Sequence, residues 1–337
     1  MSGSKSHLQI TDLLAPNGTI PFETRRQLQQ GCYGYIEGYG TPYGYQPSLA
    51  AGIVFLVLFG LTMVVQIGQS YWKKTWWCLV FVVGSLTEVI GWAGRTWSAE
   101  CPYNTNAFLM QITTLIIGKP LPNSPQRLIY SDPTAPTFYT AGVYVLLGRL
   151  IEILGRNSSV LSPKVYLWVF VTCDVVSLVV QAVGGGMAST QAAKEGGNTT
   201  PGTNIMIAGI VFQMASITVF VLCAADFVRR TIRHRLMQSM KGVVLPLLAA
   251  MIFSITTIYI RSIYRTIELS EGWSGYLITT ERYFIALDGA MMVLAVAVFN
   301  VIHPGWFLPK AEKAVKMNNG SLASPNNEEV GLNTFPR

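Results

Sequence analysis

The stretch Pro47–Gln69, PSLAAGIVFLVLFGLTMVVQIGQ, contains no charged residue and is long enough to cross the hydrocarbon core of a bilayer as one helix. Similar apolar blocks, separated by short polar segments, recur along most of the 337 residues. Only 12% of the residues are charged, about half the usual fraction in a soluble domain. The sequence therefore predicts an all-α, polytopic membrane protein.

The apolar runs and the residues that interrupt them predict a bundle of seven transmembrane helices. Six uninterrupted spans are predicted at Pro47–Gln69, Trp76–Gly94, Lys164–Gly185, Thr203–Phe227, Gly242–Tyr264 and Ile278–His303. The third span is divided between Asn106–Ile117 and Pro136–Leu154. These spans define a membrane domain at 47–308, between a polar N-terminal segment at 1–46 and a disordered tail at 309–337.

The segment Gly118–Thr134, GKPLPNSPQRLIYSDPT, divides the third span and holds four of the chain's 17 prolines. Without this segment, Ile117 would join Ala135 within one membrane-length helix. With it, a polar loop would lie at membrane depth, which is tolerated only where other parts of the protein shield the loop from lipid. Gly118-Lys119 can be encoded by GGTAAG, which contains a common 5′ intron signal. We therefore predict that 118–134 is spurious, through a retained intron or an error in the gene structure. The alternative is a lineage-specific loop or a re-entrant segment.

Basic residues indicate the orientation, because Lys and Arg concentrate on the cytosolic side of membrane proteins. They follow spans one, three, five and seven, as Lys73, Lys74, Arg156, Lys164, Arg229, Arg230, Arg233, Arg235, Lys241, Lys310, Lys313 and Lys316. The other connections are neutral or acidic, with Glu268 and Glu271 balancing Arg265 after span six. This pattern predicts an extracellular N-terminus and a cytosolic C-terminus. It also accounts for the net charge of +7 without nucleic-acid binding.

The predicted outer side carries two kinds of modification site. Asn17 and Asn198 each begin an Asn-X-Thr acceptor sequence for glycosylation. Cys32 and Cys101 lie on the same oxidising side, so a disulfide between them is possible. The remaining cysteines fall within spans, where we expect them to pack as small apolar side chains.

Ionisable and amide side chains recur in the spans at a spacing of seven residues, which places each pair on one helix face. The pairs are Glu88 and Arg95, Asp174 and Gln181, Arg261 and Glu268, and Glu281 and Asp288. Because such groups are costly in a bilayer, they are functional candidates by default. With Arg265, these residues predict a polar, substrate-binding cavity open to the outer leaflet, with Asp174 nearest the midplane. The alternative is that they form mutual ion pairs that only fix helix packing.

The acids of this set outnumber the bases. There are five acids, Glu88, Asp174, Glu268, Glu281 and Asp288, and three bases, Arg95, Arg261 and Arg265. Complete internal pairing would therefore leave carboxylates over. Burial would protonate them, or they would receive the amine of a cationic amphiphile. In the second case, neutralising Glu88 or Asp288 is expected to abolish transport and to leave expression intact.

Enzymatic and nucleotide-driven functions lack the motifs that they require. No Walker-type phosphate loop surrounds Gly184-Gly185-Gly186. The three histidines are His7, His234 and His303, and their predicted places in the topology cannot bring them together as zinc ligands. We therefore expect neither an enzyme nor a cofactor.

Short motifs distributed over residues 43–308 resemble the fungal lipid-translocating exporter family. They are Tyr45-x-Pro47-Ser48, Glu88-x-x-Gly91-Trp92-x-x-Arg95, Ala135-Pro136…Ala141…Tyr144…Gly148-Arg149, Asp174…Gln181…Gly184-Gly185-Gly186, Arg261-Ser262-Ile263-Tyr264-Arg265-x-x-Glu268, and Glu281…Asp288…Asn300-x-x-His303-Pro304-Gly305. Trp92 departs from the family's usual Tyr, and Gly118–Thr134 interrupts a helix that is continuous in the family.

The resemblance implies seven helices in a fungal plasma membrane and the movement or release of amphiphilic lipids. Sphingoid long-chain bases and aminosterol-like compounds are the implied substrates, and resistance to toxic amphiphiles is the implied outcome. A seven-helix receptor or sensor for extracellular lipid is the alternative. The basic segment Arg229–Lys241 would suit contact with anionic lipid or with a signalling partner in either case.

Overall fold

The computed structural model describes residues 21–36, 39, 41, 43–104, 106–107, 110–111, 134–154, 162–192, 198–233, 241–271 and 275–308. Within these ranges the chain is helical and contains no β-strand. The predicted insert up to residue 133, the acceptor residue Asn17 and the tail at 309–337 lie outside the described residues.

The helices, in chain order, account for all seven predicted spans. They are α1 (Phe22–Gln30), α2 (Leu49–Lys73), α3 (Leu79–Glu100), α4 (Thr134–Leu154), α5 (Pro163–Ala192), α6 (Thr200–Arg233), α7 (Lys241–Ser270), α8 (Tyr276–Thr279) and α9, which comprises a turn at Glu281–Tyr283, a π-helix at Phe284–Gly289 and an α-helix at Ala290–Val301. Among the described residues, α2 to α7 and α9 contain seven segments long and apolar enough to cross a membrane. The prediction of an all-α, seven-span membrane protein is confirmed.

Helix α4 lies at the centre of the bundle, where it contacts α3, α5, α7 and α9. Its side chains Leu146, Leu147, Leu150 and Ile151 are almost fully buried. The outer helices instead expose apolar stripes, such as Ile53, Val57, Leu61 and Val64 on α2. Such continuous apolar surfaces are rare on soluble proteins, and a bilayer covers them.

Glycines allow α5 and α6 to approach each other closely. A Cβ at Gly184 would lie 2.4 Å from the backbone nitrogen of Met206, and a Cβ at Gly202 would lie 2.2 Å from that of Ala188. Small residues favour such contacts between membrane helices, where packing rather than the hydrophobic effect drives association.

Five charged residues that were predicted to lie in loops lie in helices instead, because the helices are longer than the apolar runs. Arg229, Arg230 and Arg233 belong to the last turns of α6 instead of the following loop. Arg265 and Glu268 are buried within α7, where they pair with each other. A charged residue ends an apolar run in the sequence, but a helix continues past it when the charge reaches the membrane surface or an internal partner.

Of the divided third span, the second half alone forms a membrane-length helix among the described residues. Pro136–Leu154 of α4 is by itself long and apolar enough to cross a membrane. Of the first half, the described residues Met110 and Gln111 pack against α3, since a Cβ at Gly94 would lie 2.6 Å from the Gln111 nitrogen. The origin of Gly118–Thr134 stays a prediction.

A disulfide fixes the N-terminal segment to the end of α3. Cys32 and Cys101 form this bond, as the sequence analysis considered possible, and their Cα atoms are 4.7 Å apart. Next to it, the Ile36 nitrogen donates to the Tyr103 hydroxyl at 3.0 Å. The segment therefore packs on the face of the bundle at which α3 ends and α2 begins.

Candidate functional site

Two buried ion pairs connect α9 to α3 and to α7, and a third buried pair lies within α7. They are Arg95–Glu281 at 2.7 Å, Arg261–Asp288 at 2.8 Å, and Arg265–Glu268. We call these six side chains the ion-pair core. Five of them are at least nine-tenths buried, and Glu281 is 19% exposed. Each charge has a nearby opposite charge, which is the condition for retaining charges in a membrane interior.

Tyrosines of the N-terminal segment close one end of the ion-pair core. Arg95 donates to the Tyr45 hydroxyl at 3.0 Å, and the Tyr43 hydroxyl donates to Gln111 Oε1 at 2.8 Å. The Ser48 backbone nitrogen donates to Glu281 Oε1 at 2.8 Å, next to the first turn of α2. Burial raises the pKa of both tyrosines, so they remain neutral phenols at physiological pH.

Two carboxylates are left over by these pairs, as the count of acids and bases predicted. Glu88 is buried within electrostatic reach of Arg261 and Asp288, and its Oε1 makes no hydrogen bond with any described residue. It lies beside the ion-pair core. Asp174 lies on α5 and forms no ion pair with a described residue.

Asp174 is held by hydroxyl groups of α4. Tyr144 donates to Asp174 Oδ2 at 3.0 Å, and Thr140 donates to the same oxygen at 3.2 Å. Both contacts satisfy one oxygen of the carboxylate and orient it, but they do not neutralise its charge.

A cavity opens beside Asp174 between α4, α5, α6 and α7. Its polar lining is Thr140, Asp174, Gln181, Gln213, Arg261, Ser262, Arg265 and Thr266. Its apolar lining includes Met206, Ile210, Met214, Ile217 and Ile258. We call it the Asp174 cavity. Its volume is about 50 Å³, which admits a few water molecules or a small polar group but not a whole lipid.

Gln213 is a site residue that the sequence analysis missed. Gln181 Nε2 donates to Gln213 Oε1 at 2.9 Å, which joins α5 to α6 at the wall of the cavity. A single amide within the apolar run at 205–225 was the available signal. Thr140 was missed as well, because a threonine in a span commonly bonds only its own helix.

The structure separates the nine predicted substrate-binding residues into two groups. Asp174, Gln181, Arg261 and Arg265 line the Asp174 cavity. The other five, Glu88, Arg95, Glu268, Glu281 and Asp288, lie in or beside the ion-pair core. Arg261 and Arg265 belong to both groups, so the ion pairs set the charge of the cavity wall.

Two comparisons relate the chain to known proteins. The sequence profile of the family described as RTA1 like protein matches residues 81–124 and 129–311. The sphingoid long-chain base transporter RSB1 of Saccharomyces cerevisiae is 31% identical over 314 residues, which cover 83% of this chain and 77% of that protein.

Two further yeast relatives show lower identity. The protoporphyrin uptake protein 1 of Saccharomyces cerevisiae is 26% identical over 298 residues, covering 77% of this chain and 90% of that protein. The protein RTA1 of the same organism is 26% identical over 296 residues, covering 78% and 84%. No solved structure matches the chain.

Proposed function

Because the chain belongs to the RTA1-like family of membrane proteins, we propose that it moves or releases amphiphilic lipids, with sphingoid long-chain bases as substrates. The name of the yeast transporter supports this substrate class. Under this proposal the protein is not an enzyme. It acts in the plasma membrane and confers resistance to toxic amphiphiles, including aminosterol-like compounds.

The observation that carries the proposal is the uncompensated Asp174 carboxylate in a membrane-embedded cavity. A long-chain base combines a cationic amine, hydroxyl groups and an alkyl chain. In this assignment the amine binds Asp174, and the hydroxyl groups bond the amides of Gln181 and Gln213. The apolar side chains Met206 and Ile210 receive the beginning of the alkyl chain.

The lipid-facing opening lies between α6 and α7. Gln213 and Met214 of α6, together with Ser262 and Thr266 of α7, line the cavity and are partly exposed. An amphiphile in this position keeps its alkyl chain in the bilayer while its headgroup enters the cavity. The small volume of the cavity agrees with recognition of a headgroup alone.

An extracellular N-terminus forms part of the same proposal. The Cys32–Cys101 disulfide needs an oxidising compartment, and the arginines at the end of α6 lie at the opposite face of the bundle. Asn198 is exposed beside the start of α6, on the same face as the disulfide. We propose that it carries a glycan.

The test uses the purified protein reconstituted in vesicles, with efflux of a long-chain amino alcohol as the measurement. Asp174→Asn keeps an acceptor for Tyr144 and Thr140 but removes the charge, so we expect efflux efficiency to fall about tenfold or more. Glu152→Gln is the matched control, because Glu152 is exposed and pairs with Arg149 on α4.

A long-chain alcohol without the amine distinguishes recognition from folding. Its movement should be unchanged in Asp174→Asn, since no charge contact is lost. Wild-type efflux of the amine by Asp174→Asn would refute the assignment of the amine. Saturable binding without any efflux by the wild-type protein would instead indicate the receptor alternative.

A further inference from the structure

A second, larger opening lies between α6 and α7, towards the C-terminal end of α6. It is lined mainly by apolar residues, among them Val221, Val228 and Ile232 of α6 and Ile252 and Ile255 of α7. Its volume is about 740 Å³, which is in the range of ligand-binding clefts. We call it the arginine groove, because Arg229 and Arg233 line its end.

The arginine groove and the Asp174 cavity are separate sites on one helix pair. Ile217 lines the cavity, and Val221, one turn further along α6, lines the groove. The Thr218 and Tyr259 hydroxyls are 3.2 Å apart and form a hydrogen bond across α6 and α7 between the two openings. A ligand of the groove therefore does not require Asp174.

The basic end of the groove carries two arginines with no acidic partner among the described residues. Arg229 and Arg233 are four residues apart, so they lie one above the other on one helix face. Both are exposed. Arg230, between them, does not line the groove and pairs instead with Asp226 at 2.7 Å. Two adjacent guanidinium groups are suited to bidentate recognition of a phosphate.

The position of these arginines along α6 corresponds to the headgroup layer. The helix has 34 residues, so it is about 51 Å long, whereas the hydrocarbon core is about 30 Å thick. The apolar run of α6 ends at Ala225, and the charged residues Asp226 and Arg229 follow it. The groove is thus apolar at acyl-chain depth and cationic at phosphate depth, in the same order as a phospholipid.

We propose that the arginine groove binds one anionic phospholipid, with its phosphate between Arg229 and Arg233 and an acyl chain along Val221, Val228 and Ile255. The charge excludes the proposed substrate as the occupant. Among the described residues, the groove's lining contains two guanidinium groups and no carboxylate, so it repels a cationic amine and attracts an anionic headgroup.

The test is lipid retention by the full-length protein, purified from nanodiscs containing phosphatidylcholine and phosphatidylserine in equal amounts. Mass spectrometry of the intact protein counts the lipids that remain bound. We expect the wild type to retain phosphatidylserine preferentially. The double variant R229Q/R233Q should lose that preference by about tenfold or more, because two charge-assisted contacts disappear.

Two further variants separate a lipid site from a general charge effect. Arg230→Gln removes an arginine from the same turns but not from the groove, so it should retain phosphatidylserine as the wild type does. Ala225→Trp places a large side chain in the groove, which Ala225 also lines, and keeps both arginines. It should reduce phosphatidylserine retention although the charge is unchanged.

Several outcomes would overturn the proposal. Equal retention of both lipids by the wild type would refute it. Retention of phosphatidylserine by R229Q/R233Q at the wild-type level would refute it as well. If Arg230→Gln lost as much phosphatidylserine retention as R229Q/R233Q, the effect would come from surface charge in general and not from the groove. Complete displacement of the lipid by soluble glycerophosphoserine, together with wild-type behaviour of Ala225→Trp, would indicate a site for free phosphate esters.

Discussion

Replacing Asp288 by Asn removes the carboxylate that neutralises Arg261 between α9 and α7. The Arg261 Nε atom lies 2.8 Å from Asp288 Oδ1, and the two side chains are 8% and 2% exposed. Loss of one partner from a buried pair leaves an uncompensated charge, which destabilises a protein by about 3–5 kcal/mol. Glu88 lies within electrostatic reach of Arg261 and offsets part of this loss. We therefore expect Asp288→Asn to lower the free energy of unfolding by about 3 kcal/mol, the lower end of that range.

The measurement is reversible unfolding of the purified protein in mixed micelles, followed by tryptophan fluorescence. Glu88→Gln alone should have a small effect, since Asp288 still neutralises Arg261. The double variant Glu88→Gln/Asp288→Asn should lose more stability than the sum of the two single losses, with a coupling of about 0.5–3 kcal/mol. Asp226→Asn is the control. It breaks a partly exposed pair with Arg230, which is worth less than about 1 kcal/mol.

Wild-type stability of Asp288→Asn, with a loss of transport alone, would refute this reasoning. Asp288 would then act on the substrate, as the sequence analysis expected. Strictly additive effects of Glu88→Gln and Asp288→Asn would show that Glu88 does not compensate Arg261. A large loss in Asp226→Asn would show that the assay responds to any change of charge.

Three other predictions address packing, covalent structure and the doubtful segment. Gly184→Ala forces a Cβ to 2.4 Å from α6 and should lower the thermal stability measured by size-exclusion chromatography. Gly186→Ala should not, because no atom of a neighbouring helix lies within 4 Å of the new Cβ, and equal losses would contradict the close-packing argument. Cys101→Ser should leave the exposed Cys32 reactive to maleimide without a reducing agent and lower stability by about 2–4 kcal/mol; labelling of both cysteines in the unreduced wild type would contradict the disulfide. Sequencing of cDNA should find most transcripts without the codons for 118–134, and read-through in most copies would refute the retained intron.

The number and type of the helices follow from local information in the sequence. An apolar run such as Pro47–Gln69 can satisfy its backbone groups in a bilayer only as a helix or within a closed barrel, and its length selects the helix. The excess of carboxylates over arginines also followed from counting. It correctly indicated that full pairing would leave acidic groups over, and in the structure these are Glu88 and Asp174.

The identity of the partners depends on tertiary packing, which the helix periodicity does not contain. Arg95 pairs with Glu281, which is 186 positions away in the chain, because side chains of α3 and α9 meet inside the bundle, as the rings of Trp92 and Phe284 also do. Seven-residue spacing predicted a shared face but not the facing helix. Gln213 was missed for the same reason, since its role depends on its contact with Gln181 of α5.

The π-helix in α9 determines the rotational phase of everything that follows it. An α-helix advances by about 100° per residue, and a π turn holds one residue more than an α turn. Deleting a single residue within Phe284–Gly289 would restore regular α-helical hydrogen bonding without breaking the helix. Because the π turn already accommodates one extra residue, the shortened helix would keep Ala290–Val301 in nearly the same rotational phase, and the buried side chains Met292, Val296 and Phe299 would stay on the packed face. A one-residue deletion is thus tolerated within the π-helix, whereas the same deletion within Ala290–Val301 would rotate the residues after it by about 100°.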